Sequence, residues 1–175
     1  MEKSLKSISV NNGLILGLIL AAVTILIYAV NLDLMTEWWL GIILFIVAIG
    51  LGAYSGITFK KQQGFLSFKE GFTAYFITIA LGTLIGTIAA IVIFSFVDPD
   101  AAQYLNEKIL IMTKETMENF GMPEEAMQEA LMEAEKTDNF SLGAQAQAYV
   151  VRLVIYAIVG LIVALIIKKN NPAEE

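Results

Sequence analysis

Neither cysteine nor histidine occurs among the 175 residues. That excludes disulfides, thiolate chemistry, imidazole metal ligands and the usual general base near neutral pH. It leaves the compartment open, since secreted and cytosolic chains alike can lack cysteine. Deep charge is also scarce, because no Asp, Glu or Lys sits well inside any long apolar stretch. This argues against a proton- or sodium-coupled carrier, although backbone and hydroxyl groups can still line a path. No glycine lies in a strand-to-helix loop followed by Lys-Ser or Lys-Thr, so no phosphate-binding loop is present. No region is basic enough to bind nucleic acid, and no Asx-rich loop of the EF-hand type occurs. No catalytic, cofactor-binding or metal-ligating set stands out.

What the chain has instead is apolar length. Its hydrophobic fraction of 57% exceeds the roughly 45–50% of soluble domains, and the excess is concentrated in four blocks. The expected fold is all-α: one polytopic membrane domain over residues 1–175. Its four transmembrane helices are expected at about 13–30, 38–59, 71–97 and 146–167. Gly13–Val30 and Trp38–Phe59 carry no formal charge. A helix over 71–97 would measure about 40 Å, longer than a hydrocarbon core of about 30 Å, so it must tilt or protrude. The fourth block, Leu153–Ile167, is short, and Tyr149–Val151 extend it past Arg152. A cleaved signal peptide is the competing reading of the first block. Polar Asn11 and Asn12 and the lack of a small-x-small site after Val30 favour a retained span.

Lysine placement sets the expected topology. Lys3, Lys6, Lys60, Lys61, Lys69, Lys168 and Lys169 flank the spans on one side and make up seven of the eleven basic residues. The other side carries Asp33, Glu37 and a long acidic segment. The positive-inside rule then puts both termini in the cytoplasm, and Trp38 and Trp39 suit the outer interface.

Residues 98–143 read as an extracytoplasmic helical hairpin between the third and fourth spans. Asp98-Pro99 is a helix start, and Gly121 a stop. Pro123 opens a second helix with Glu124 and Glu125 at its positive end. Leu105, Ile109, Met112 and Thr116 mark a stripe on the first helix; Ala126, Met127, Ala130, Leu131 and Ala134 mark one on the second. These apolar faces must pack on each other, on the membrane surface or on a partner.

Several patterns invite a functional reading. Met112, Met117, Met122, Met127 and Met132 recur every five residues, and thioethers bind Cu(I). Five residues advance a helix by about 140°, however, so the sulfurs share no face and packing is the better reading. Glu124, Glu125, Glu129 and Glu133 are spaced as a solvated helix face. Small residues recur four apart in every span: Gly13, Gly17 and Ala21; Ala48, Gly52 and Gly56; Thr78, Gly82, Gly86 and Ala90; Gly160 and Ala164. They mark close helix crossings, within one chain by default and between two chains as the alternative. Arg152 is the one formal charge inside an expected span. Asp98 is its available partner for an interfacial ion pair.

The cytoplasmic loop and its flanks read Ala53-Tyr54-Ser55-Gly56, Phe59-Lys60-Lys61, then Gly64-Phe65-Leu66-Ser67-Phe68-Lys69-Glu70-Gly71-Phe72. With the four-span order, the helical outer segment and a last span ending in lysine, this resembles the DUF4199 family. These are small membrane proteins of uncharacterised function, found mainly in Bacteroidetes. The resemblance covers nearly the whole chain and implies a bacterial inner-membrane setting. It supplies no catalytic residues.

The expected function is therefore non-enzymatic, acting through packing or partner contact in the envelope. The bilayer and a homo-oligomer or other envelope membrane proteins are the expected partners. A small oligomeric transporter or channel comes second, and an enzyme of envelope lipid or glycan chemistry third. The lysine asymmetry yields a direct test. In outer-membrane-permeabilised cells, an impermeant thiol reagent should label Gln128→Cys and spare Gln63→Cys; the reverse pattern overturns the topology.

Overall fold

The computed structural model describes residues 4–169; Lys3 lies outside them. Six α-helices follow one another: α1 Leu5–Val30, α2 Trp38–Gln63, α3 Phe68–Ile91, α4 Pro99–Asn119, α5 Glu124–Glu135 and α6 Leu142–Ile167. A 3-10 turn, Leu32–Thr36, joins α1 to α2, and a π-helical turn, Val92–Val97, prolongs α3. Among the described residues no strand forms. Four helices, α1, α2, α3 with its π turn, and α6, are long and apolar enough to cross a membrane. At 1.5 Å per residue the 26-residue helices α1, α2 and α6 are each about 39 Å long.

The helices start earlier than the apolar runs suggest. α1 is capped by Ser4 and includes Lys6, Asn11 and Asn12, so the helix begins eight residues before the expected span start at Gly13. Ser141 caps α6, whose first residue, Leu142, precedes the expected span start at 146. Hydropathy finds only the lipid-facing part of a helix; caps and polar turns carry the backbone past it.

The bundle is arranged for an apolar solvent. Leu18 is 67% exposed and Ile166 75%, whereas the buried positions include Ser9, Asn12, Ser55, Thr78, Thr83 and Thr87. Large apolar residues face outward as well as inward, and hydroxylated ones share the interior, as a bilayer allows, because lipid gives little drive to bury leucine.

α3 touches each of the other three spans. With α1 it forms a parallel pair of interlocking notches. A Cβ on Gly13 would come within 3.1 Å of Leu81, and one on Gly17 within 2.7 Å of Ile85. In return, Leu16 fills the notch at Gly82, at 2.6 Å, and Leu20 the notch at Gly86, at 2.9 Å. Tyr75 wedges α3 against both remaining spans. Its ring lies 2.6 Å from a Cβ placed at Gly52 of α2, and equally 2.6 Å from one at Gly160 of α6. At the bundle end away from the hairpin, Ile167 fits Gly56, 2.6 Å from its notional Cβ, and Ala164 is fully buried.

The α2–α3 connection explains the loop sequence quoted above. Gly64 ends α2 at φ 83°, a conformation that suits glycine. Ser67 and Glu70 form a reciprocal capping box that starts α3. Between them Leu66 is fully buried, and its backbone exchanges hydrogen bonds of 2.9 and 2.8 Å with Lys169. Lys60 donates to the Ile167 carbonyl at 2.8 Å, placing its cation on the negative end of α6. Both contacts fasten the end of the fourth span to the loop between the second and third.

The notches predict opposite effects from one substitution. Gly82→Ala should lower stability in mild detergent by about 1–3 kcal/mol, because Leu16 must move. Gly50→Ala, with nothing within 4 Å of its Cβ, should raise it slightly through helix propensity. Leucine at Gly82 or Gly86 should likewise cost more than at Ile91. Equal melting temperatures for Gly82→Ala and Gly50→Ala count against the interlock.

Candidate functional site

The hairpin and its seat on the bundle form the part of the chain not committed to span packing. The seat is built by the end of α3. Pro99 has no N–H and pushes the residue before it out of helical geometry, and Asp98 lies at φ −143°, ψ 80°. Asp98 N donates to the Ile93 carbonyl five residues back, at 2.8 Å, which widens the turn to π form. Ile93 and Phe94 thereby reach Ala101, Ala102 and Leu105 of α4 in one buried cluster. Phe94 also meets Phe140, with ring centres 5.1 Å apart. Ser95 Oγ donates to the Phe140 carbonyl at 3.0 Å. The first turns of α4 are thus embedded in the bundle end.

A polar tether reinforces the seat. Asp33, on the short 3-10 turn, accepts from Tyr104 Oη at 2.6 Å and pairs with Lys108 Nζ at 2.6 Å. Tyr104 and Lys108 are four apart on α4 and so share a face. Hydrogen bonds from Lys108 and then Tyr104 hold the Asp33 carboxyl below its usual range. The same bond raises the Lys108 ammonium, and the Asp33 carboxylate raises the Tyr104 phenol. The sequence signal was present in this i,i+4 pair, but nothing local linked it to an aspartate 71 residues away.

Beyond the seat the hairpin loosens. Asn106 holds the return loop through Asp138 Oδ1 at 3.0 Å and the Asn139 amides. α5 has no buried residue. Of the hairpin residues expected to make contacts, Leu105 is buried in the seat; Ile109, Met127 and Leu131 are half-buried. Met112, Met122 and Met132 are exposed, while Met117 and Met127 are half-buried. Glu124, Glu125, Glu129 and Glu133 all face outward from α5. Among the described residues, no three acidic groups converge as a metal site.

The glycines and Ala164 singled out from sequence all lie at crossings within this chain. The expected Arg152–Asp98 ion pair does not form among the described residues. Asp98 instead caps α4 through Ala101 N at 3.0 Å and accepts from Tyr28 Oη at 2.9 Å. Arg152 is the eleventh residue of α6 and lines a cavity between the spans.

Sequence reasoning missed a buried polar layer. Asn12 Nδ2 donates to Ser55 Oγ at 2.9 Å. Ser55 Oγ and Thr78 Oγ1 lie 2.7 Å apart, and Thr78 reaches the Ser9 carbonyl at 3.2 Å. This ties α1, α2 and α3 together at one level. Asn12 read as a polar residue ahead of span one and Ser55 as part of a family motif; only the helix rotations bring them together.

The fold defines a multi-pass helical membrane protein with a four-span bundle and a seated helical hairpin. Residues 11–169 match the family model described as a protein of unknown function, DUF4199, and the chain belongs to that family. No curated protein and no solved structure matches it.

Two tests follow. Asp33 is more acidic folded than unfolded, so its share of stability is present above the ordinary value of 3.8 and disappears as pH falls through the lower folded value. The Lys108 share is present below 10.5 and disappears as pH rises through the higher folded value. Amide protection over residues 104–112, taken relative to intrinsic exchange at each pH, should therefore be greatest between those limits. It should fall on acidification in the parent and fall less in Asp33→Asn. An identical acid response in both sinks the tether. Separately, Ser55→Ala should cost about 1–3 kcal/mol, because the Asn12 amide loses its buried acceptor; an unchanged melting temperature in detergent argues against the polar layer.

Proposed function

We propose that this is a non-enzymatic protein of a bacterial inner membrane, with both termini cytoplasmic, that acts by presenting its hairpin to another envelope protein. One contrast carries this reading. The spans use their close-packing notches on each other, whereas the outer part of the hairpin leaves large apolar groups uncovered: Phe120 is 86% exposed, Met132 61% and Ile111 58%. Residues of this size are typical anchors when they gather at an interface. The embedded seat and the Asp33 tether fix the arm relative to the bundle, which lowers the entropy lost on docking.

The cavity beside Arg152 favours a second reading, a small transporter or channel that needs an oligomer to complete a path. In-cell photocrosslinking separates the two. A photoreactive residue at Ile111 should give one discrete adduct with a different protein, and Phe120→Ser should reduce that adduct several-fold without lowering the detergent melting temperature. An adduct only with a second copy of the chain, or no adduct, contradicts the docking proposal.

A further inference from the structure

We propose that the hairpin-side half of the bundle holds one anionic phospholipid, with its phosphate on Arg152 and an acyl chain between α2 and α6. The space comes from the packing. Tyr75 draws α2 and α6 onto α3 at Gly52 and Gly160, and Phe45 of α2 stacks on Tyr156 of α6 further toward the hairpin, ring centres 5.0 Å apart; beyond that stack the spans leave a gap, and Gly41 has nothing within 4 Å. The resulting cavity has a volume of about 450 Å³, within the roughly 300–1,000 Å³ of small-molecule sites. Leu44, Phe45 and Ile155 give it an apolar wall suited to an alkyl chain.

Its polar groups state what else the occupant must carry. Thr24 and Thr83 are satisfied by their own helices, through Leu20 O at 2.9 Å and Ile79 O at 2.7 Å. Gln145 donates to Asn139 O at 3.0 Å. Two lining groups stay unmatched among the described residues. Thr87 Oγ1 has no partner although the residue is only 6% exposed. Arg152 has no carboxylate within ion-pair distance. A guanidinium keeps its charge and offers five donors in a planar fork, and leaving that charge unpaired among apolar residues is costly. Asp98 and Asp33 are engaged by Tyr28 and by Lys108 with Tyr104, and Glu37, at the start of α2, forms no ion pair with Arg152. Among the described residues no acid supplies the anion, which leaves one from outside the chain. Arg152 lies ten residues after Leu142, about 15 Å along α6, and its long side chain can extend toward the headgroups. An anionic phospholipid supplies phosphate and chain together, and its second chain stays in the surrounding bilayer.

The test uses the full chain, purified in mild detergent and stripped of lipid. Native mass spectrometry with dioleoyl phosphatidylglycerol should retain one lipid under conditions that remove dioleoyl phosphatidylcholine. Arg152→Gln should cut retention about tenfold or more, as expected for hydrogen bonds to a charged group. Thr87→Val should cut it less, and Lys61→Gln, at the other end of the bundle, should leave it unchanged. A phosphatidylglycerol with a photoreactive acyl chain should label residues 41–45 and 152–156. Equal retention of both lipids, unchanged retention in Arg152→Gln, retention of oleate but not phospholipid, or labelling spread over all four spans overturns the proposal. If Arg152→Gln does not fold, Thr87→Val and the labelling map decide.

Discussion

The parallel interlock of α1 with α3 is the constraint on which the rest of the bundle rests. In lipid, two leucine-covered helices gain little by touching, and association depends on backbone approach and van der Waals fit. Here each helix supplies both notch and knob: Gly13 and Gly17 receive Leu81 and Ile85, and Gly82 and Gly86 receive Leu16 and Leu20. That close approach also brings the Ser9 carbonyl within reach of Thr78, whose hydroxyl then engages Ser55 of α2. α3 becomes the common wall against which α2 and α6 are placed by one tyrosine ring.

At its two ends the bundle is finished by different means. One end is closed by backbone exchange between Leu66 and Lys169 and by Lys60 on the Ile167 carbonyl that ends α6. The other is closed by the π turn, where a proline-enforced break directs Phe94 under the hairpin and turns Asp98 into a cap. The hairpin is thus an outgrowth of α3 with a buried root and an exposed outer part.

Much of this was legible in the sequence. The four spans, the helical hairpin, the Gly121 stop and the small-residue stripes follow from local periodicity and capping chemistry. The glycine partners did not: spacing shows that Gly82 permits close approach, but not that Leu16 is what approaches. The Arg152–Asp98 pairing failed for a related reason. Both were placed near the hairpin end, but Tyr28, seventy residues before Asp98 in the chain, reaches the carboxylate. The polar layer was missed because Asn12 and Ser55 were each assigned a local meaning before the helix rotations were known. The cavity is a property of gaps between spans and has no signature in any one of them.

The pairing of first with third span also bears on how the chain is assembled. α1 and α2 can enter the bilayer as a hairpin, yet the notches at Gly13 and Gly17 are filled by Leu81 and Ile85, which are synthesised more than sixty residues later. Until α3 is made, the side chains that fill that grooved face of α1 do not exist. The bundle's final packing is therefore a lateral event within the membrane, separate from the crossing of it.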